Sequence, residues 1–102
     1  MNILIKNFRP MEKGLLRGFV TVGIPEAGII INDISVFSGD KGTWVSPPSK
    51  PRIKDGQVVK EDGKVIYDEV VSFSSAEMRK AWSDTVIGKL QKAYPEAFVA
   101  LR

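Results

Sequence analysis

The chain of 102 residues contains neither cysteine nor histidine, and these two absences limit its chemistry more than any other feature of its composition. Without cysteine it forms no disulfide and offers no thiolate ligand to a metal. Without histidine it lacks the commonest general base and the usual ligand sets for zinc. We therefore expect no enzyme activity, no catalytic residue, no metal and no cofactor, and we expect binding instead.

Long hydrophobic runs are also missing. No stretch approaches the roughly 18 consecutive apolar residues of a membrane-spanning helix, and the first residues lack the layout of a signal peptide. We therefore expect a cytoplasmic protein with no membrane partner. A chain of this length buries one modest core but not two, which predicts a single domain over residues 1–102.

Acidic residues are slightly outnumbered by basic ones. The formal net charge is +3 and the isoelectric point is near 9.3, which mildly favours polyanionic partners. The positive excess lies in two regions, residues 50–64 and residues 75–102, each with five basic and three acidic residues. One of these regions is rich in proline and glycine, and the other is the C-terminal part of the chain.

Alternation of apolar and polar residues predicts an antiparallel meander. We expect strands at residues 3–8, 15–24, 29–38 and 43–45, with a fifth at 65–73. Pro10 is expected to end the first strand because proline lacks a ladder donor. The residues predicted to share core-facing positions are Leu16, Val20, Val22 and Ile24 in the second strand and Ile30, Ile34 and Val36 in the third.

A single helix is predicted after the strands. Ser74 and Glu77 have the spacing of a capping box, and Pro95 should end the helix. Its predicted apolar stripe comprises Met78, Ala81, Trp82, Thr85, Val86, Leu90, Ala93 and Tyr94. The predicted fold class is therefore α+β, an antiparallel sheet of about four to five strands packed by a C-terminal helix.

The most informative motif lies between residues 33 and 50. It reads Asp-Ile-x-Val, Gly-x-x-Gly, Trp-Val and Pro-Ser-Lys, at Asp33/Ile34/Val36, Gly39/Gly42, Trp44/Val45 and Pro48/Ser49/Lys50. This succession resembles the stage V sporulation protein G (SpoVG, septation protein) family of small bacterial nucleic-acid-binding regulators. The resemblance implies an antiparallel sheet with a C-terminal helix, DNA or RNA as partner, and a homodimer formed largely through strand pairing.

Candidate binding residues follow from this resemblance and from charge. The resemblance implies that Lys50 and Arg52 contact nucleic acid. Together with Lys54 they alternate, so in an extended segment they would point to one side, as a row of phosphate contacts requires. An ordinary solvated loop is the alternative interpretation. Charge alone extends the candidate nucleic-acid-binding set to Lys54, Arg79, Lys80, Lys89 and Lys92.

Three other features of the motif have structural interpretations. Trp44 is suited to the core, to a dimer interface or to stacking against a base, and packing is favoured. The turn at residues 39–42 leads into a strand and not into a helix N-terminus, so we predict a hairpin turn and not a phosphate-binding loop. Asp33 lies within a strand, where we expect structural hydrogen bonding and no catalytic role.

The leading prediction is therefore a dimeric regulator that binds DNA, RNA or both. The alternative is a non-enzymatic protein-interaction or structural module. Such a module would dock its partner by an exposed sheet edge or by the apolar tail at residues 98–101.

Overall fold

The computed structural model describes residues 2–96 and has the predicted α+β fold. Four antiparallel strands form one sheet in the order β1-β2-β3-β4, and a single helix follows at the C-terminal end. Consecutive strands pair through short connections, which is the predicted meander. The elements are β1 Leu4–Lys13, β2 Leu16–Ile24, β3 Ile29–Gly39, β4 Gly42–Ser46 and the helix α1 Ala76–Ala93.

One face of the sheet and one side of α1 form the hydrophobic core. Burying each such aliphatic side chain contributes about 1.5–3 kcal/mol. The predicted core positions Val20, Val22, Ile34 and Val36 are confirmed. Among residues 2–96, the buried cluster comprises Ile3, Phe8, Val20, Val22, Ile34, Val36, Val45, Trp82, Val86 and Leu90. Within the described residues, no helix is both long enough and apolar enough to cross a membrane.

The start of α1 differs by one residue from the prediction. Ser75, and not Ser74, is the N-cap, and its Oγ accepts a hydrogen bond from the Met78 N–H at 3.1 Å. Glu77 lies in the first turn, where its negative charge interacts favourably with the helix dipole. The predicted apolar stripe is correct at its centre but wrong at Met78, Ala81 and Ala93, which are exposed, whereas Ser83 is buried.

Two predictions about the strands of the sheet are also wrong. Pro10 does not end β1, because β1 is an edge strand, where a missing N–H need not remove a ladder bond. Ile30, predicted to face the core, is instead 59% exposed. The register passes from Val20↔Ile34 to Val22↔Ile31, so β3 contains one extra residue. Asp33, with φ of 59°, lies in this bulge, and aspartate adopts this left-handed conformation more readily than most residues. The hydrogen bonding expected of its side chain is not found within residues 2–96.

The predicted fifth strand does not join the sheet. Residues 49–69, which we call the arm, form three short ladders of their own. The turns at residues 55–56 and 62–63 have positive φ at both positions, a conformation that Asp-Gly dipeptides favour. The strands of the arm are β5 Ser49–Pro51, paired with β10 Tyr67–Glu69; β6 Ile53–Lys54, paired with β7 Gln57–Val58; and β8 Lys60–Glu61, paired with β9 Lys64–Val65.

The three ladders of the arm meet at a closed triangle of backbone hydrogen bonds. The N–H of Arg52 donates to the carbonyl of Ile66 at 2.8 Å, the N–H of Val59 to Arg52 at 2.9 Å, and the N–H of Ile66 to Val59 at 3.0 Å. Arg52 and Val59 flank the β6–β7 hairpin, and Val59 and Ile66 flank the β8–β9 hairpin. The third side of the triangle, between Ile66 and Arg52, adjoins the β5–β10 ladder. The arm therefore satisfies central backbone groups without adding to the hydrophobic core.

Candidate nucleic-acid interface

The arm does not present the predicted row of basic side chains. Lys50 lies on β5 and Lys54 on β6, with Arg52 at the junction between them, so the segment is not one continuous strand. Arg52 makes a bidentate contact with Asp68, at 2.7 Å from Nη2 to Oδ1 and 3.1 Å from Nε to Oδ2. This hydrogen bonding lowers the pKa of Asp68 and raises the pKa of Arg52. Both side chains are exposed, so the pair adds little to stability.

Strand pairing also removes the positive excess of this region. The β5–β10 ladder brings Asp68 opposite Lys50 and Glu69 opposite Ser49. Over residues 49–69 there are five basic residues (50, 52, 54, 60 and 64) and five acidic ones (55, 61, 62, 68 and 69), so the net charge is zero. Residues 50–64 have a net positive charge only because that range excludes Asp68 and Glu69, which the fold places alongside β5.

The predicted cations of α1 divide into two groups. Arg79 Nη1 donates to Glu69 Oε1 at 2.5 Å, which ties the helix to the arm, and Lys80 Nζ donates to Asp84 Oδ2 at 2.7 Å. Lys89 and Lys92 are exposed farther along the helix. Among the described residues, the predicted cations without an ion pair are Lys50, Lys54, Lys89 and Lys92.

A groove between β4 and the first half of α1 brings together several of the predicted residues. It is open to solvent and has a volume of about 370 Å³. Three cations and one carboxylate contribute to its lining. We call it the β4–α1 groove. Its charged and aromatic lining residues are Lys41, Trp44, Arg79, Lys80 and Asp84.

Lys41 is the residue of the groove that sequence reasoning missed. The turn at residues 39–42 is the predicted hairpin turn, with two residues between the paired Gly39 and Gly42. Gly42 has a φ of 121°, which glycine adopts at low cost. The turn thereby places Lys41 at the end of the groove nearest the β3–β4 hairpin. A lysine at the tip of a glycine-flanked turn was the only available signal.

A buried hydrogen bond joins the two walls of the groove. The Val45 N–H donates to Ser83 Oγ at 3.1 Å. Since β4 is the last strand of the sheet, alternate N–H groups point away from β3 and need another partner. Ser83 supplies that partner, and it thereby fixes α1 against the edge of the sheet.

Trp44 lies at the boundary between the groove and the face of the sheet opposite α1. It is 38% exposed and lies outside the buried core, so of the packed positions considered for it the core is excluded. Its ring stacks on Phe37 at a centroid distance of 5.5 Å and an interplanar angle of 17°. The register places Leu16, Phe37 and Trp44 in one row across the strands. In the next row on the same face, the guanidinium of Arg9 lies 5.2 Å from the ring centroid of Phe19.

A second surface feature lies at the opposite end of the sheet. Leu4, Ile29 and Ile30 are exposed by 42%, 50% and 59% and line a shallow groove of about 260 Å³. Together they form what we call the apolar cluster, which extends from Leu4 on the edge strand β1 across Gly23 of β2 to Ile29 and Ile30 on β3. No group of acidic residues that could hold a metal ion occurs among residues 2–96. The predicted docking tail at residues 98–101 lies outside the described residues.

Comparison of the chain with protein-family models and with curated proteins found no match.

Proposed function

We propose that this protein is a non-enzymatic, cytoplasmic regulator that binds DNA, RNA or both, in the manner of the stage V sporulation protein G family. The observation that supports this proposal is the β4–α1 groove, where Lys41, Arg79 and Lys80 lie beside the exposed Trp44. Lysine and arginine bind phosphates irrespective of sequence, and an aromatic ring offers a surface for bases.

The ion pairs within the groove are compatible with phosphate binding. Exposed pairs such as Lys80–Asp84 contribute about 0–1 kcal/mol, so a phosphate can replace the carboxylate at low cost. Arg79 offers a planar fork of donors that suits a phosphate as well as it suits Glu69. Lys41 has no ion pair within the described residues, and it is therefore the simplest position at which to test the groove.

We expect Lys41→Ala to weaken nucleic-acid binding and to reduce its salt dependence. Loss of one phosphate contact lowers the slope of log K against log salt by about 0.7–0.9. Fluorescence anisotropy of labelled DNA and RNA at several salt concentrations measures both quantities. Lys64→Ala is the matched control, because it removes an equally exposed charge from a hairpin of the arm and should leave the slope unchanged.

The predicted basic row of the arm is tested in the same titration by replacing Lys50, Arg52 and Lys54 together with alanine. The neutral arm and the Arg52–Asp68 pair predict a smaller effect than that of Lys41→Ala. A large loss of binding in the triple variant, with normal binding by Lys41→Ala, would move the interface from the groove to the arm. Absence of wild-type binding even at low salt would refute the proposal.

We further propose that the protein is a homodimer that associates through β1. This strand is one edge of the sheet, and the apolar cluster lies next to it. An edge strand that carries one end of an exposed apolar cluster is suited to pairing with a second copy about a two-fold axis. Such a dimer would place the two β4–α1 grooves at its two outer edges, because β4 is the edge of the sheet opposite β1.

We expect Ile30→Lys to dissociate this dimer, since a symmetric interface buries the substituted residue twice. Sedimentation equilibrium should give twice the chain mass of 11.3 kDa for the wild-type protein and a mass near that of one chain for the variant. Ile53→Lys is the control, because Ile53 is similarly exposed, at 58%, but lies on the arm. A monomeric wild-type protein, or dissociation by Ile53→Lys alone, would contradict the β1 interface.

A protein-interaction module is the second candidate function, and the apolar cluster beside β1 is the observation that favours it. In that case β1 and the cluster bind another protein, and the groove charges have no part in the interaction. Capture of a partner that survives Lys41→Ala but fails with Ile30→Lys would support this function.

A further inference from the structure

We infer that the nucleic acid is bound as a single strand, with an unpaired base stacked on the indole of Trp44 and its phosphates on the cations of the β4–α1 groove. This inference rests on the proposed function, because it specifies which form of nucleic acid the same groove binds.

The position of Trp44 leaves one side of its ring available. Phe37, on the neighbouring strand, stacks against the indole with nearly parallel planes. Since β4 is the last strand of the sheet, the other side of the ring is directed past the edge, toward the groove that Trp44 lines. A base placed there would continue the stack that Phe37 and Trp44 begin.

The two tryptophans differ in exposure. Trp82 is only 3% exposed and packs against Phe73 with ring centroids 4.9 Å apart. On the sheet, the ring of Phe19 is already occupied by the guanidinium of Arg9. Trp44, at 38% exposed, is therefore the aromatic side chain of the sheet best placed to receive a base.

The charges around Trp44 favour a nucleic acid over an apolar protein partner. The groove beside the indole contains Lys41, Arg79 and Lys80 and a single carboxylate, Asp84. A single strand presents bases and phosphates side by side, which matches one aromatic surface flanked by cations. In a duplex the flat surfaces of the bases are already stacked on one another, so a duplex could use only the cations.

Intrinsic tryptophan fluorescence tests this inference directly, because the chain has only these two tryptophans. We would titrate the full chain with a single-stranded oligothymidylate and with a duplex of the same length. We expect the single strand to quench the exposed Trp44 and to bind roughly 10-fold more tightly than the duplex. The buried Trp82 should remain unquenched and report that the fold is intact.

Two substitutions separate stacking from packing. Trp44→Leu keeps an apolar side chain against Phe37 but removes the aromatic surface, so single-strand affinity should fall roughly 5-fold to 100-fold while duplex affinity stays the same. Trp44→Phe keeps an aromatic ring and should retain most of the single-strand affinity. If Trp44→Leu fails to fold, as judged by Trp82 emission, the wild-type quenching and Trp44→Phe decide.

The outcomes distinguish this inference from the proposed function. Single-strand binding without quenching, or an equal loss of single-strand and duplex binding in Trp44→Leu, would overturn the stacking of a base on Trp44 but leave nucleic-acid binding in place. Duplex binding as tight as single-strand binding would overturn it in the same way. If neither oligonucleotide binds, both proposals fail and a protein partner for this surface is favoured.

Discussion

Gly18→Ala should lower the free energy of unfolding by about 2–5 kcal/mol, a large part of the stability of a domain of this size. Gly18 lies in β2 with φ of 155°, a conformation that side chains rarely adopt. A Cβ there would lie 2.5 Å from the carbonyl oxygen of Arg9 and 2.8 Å from the ring of Phe8. The oxygen belongs to the backbone of the paired strand, so relief would require β1 to shift out of register.

Urea unfolding, followed by the emission of the buried Trp82, measures this loss. Gly14→Ala is the matched control, because Gly14 also has positive φ, at 60°, but no atom lies within 4 Å of the position that an alanine methyl would take there. It should therefore show conformational strain alone, about 1–2 kcal/mol. Equal losses for the two variants would mean that the close approach of β1 and β2 at Gly18 carries no additional cost.

The order of the strands could be predicted because the information is local. Alternating apolar residues, the glycine-flanked turn at residues 39–42 and the two Asp-Gly dipeptides each specify their own structure. The assignment of faces failed at Ile30 because a bulge adds one residue, and a shift of one residue exchanges the two faces of a strand. An aspartate within an apolar strand is a weak signal for such a bulge.

The binding site was harder to predict because it depends on pairing between distant residues. Lys50, Arg52 and Lys54 form a basic row in the sequence, but Asp68 and Glu69 approach them only when β10 pairs with β5. The β4–α1 groove arises only when the helix packs against β4, so no local pattern connects Lys41 with the helix. The sequence left three interpretations of Trp44 open, because its position on the outer face of an edge strand follows only from the whole sheet.

Ser83→Ala should lower the free energy of unfolding by about 1–3 kcal/mol, although it removes a single oxygen atom. Ser83 is 8% exposed, and its Oγ is the acceptor for the outward-pointing Val45 N–H. Without it, a buried donor at the sheet edge has no partner. Because the same bond fixes one wall of the β4–α1 groove to the other, we also expect weaker nucleic-acid binding and faster hydrogen exchange at the Val45 amide.

Thr85→Ala is the control for Ser83→Ala. It also removes one hydroxyl from α1 but leaves the Val45–Ser83 hydrogen bond in place. Thr85 Oγ1 donates to the Ala81 carbonyl at 2.8 Å, at an exposed position within α1, so its removal should change stability by no more than about 0.5 kcal/mol. Urea unfolding of both variants gives the comparison. If Ser83→Ala were as mild as Thr85→Ala, with an unchanged Val45 exchange rate, the helix would be held on β4 by apolar packing alone, and the groove would not depend on this bond.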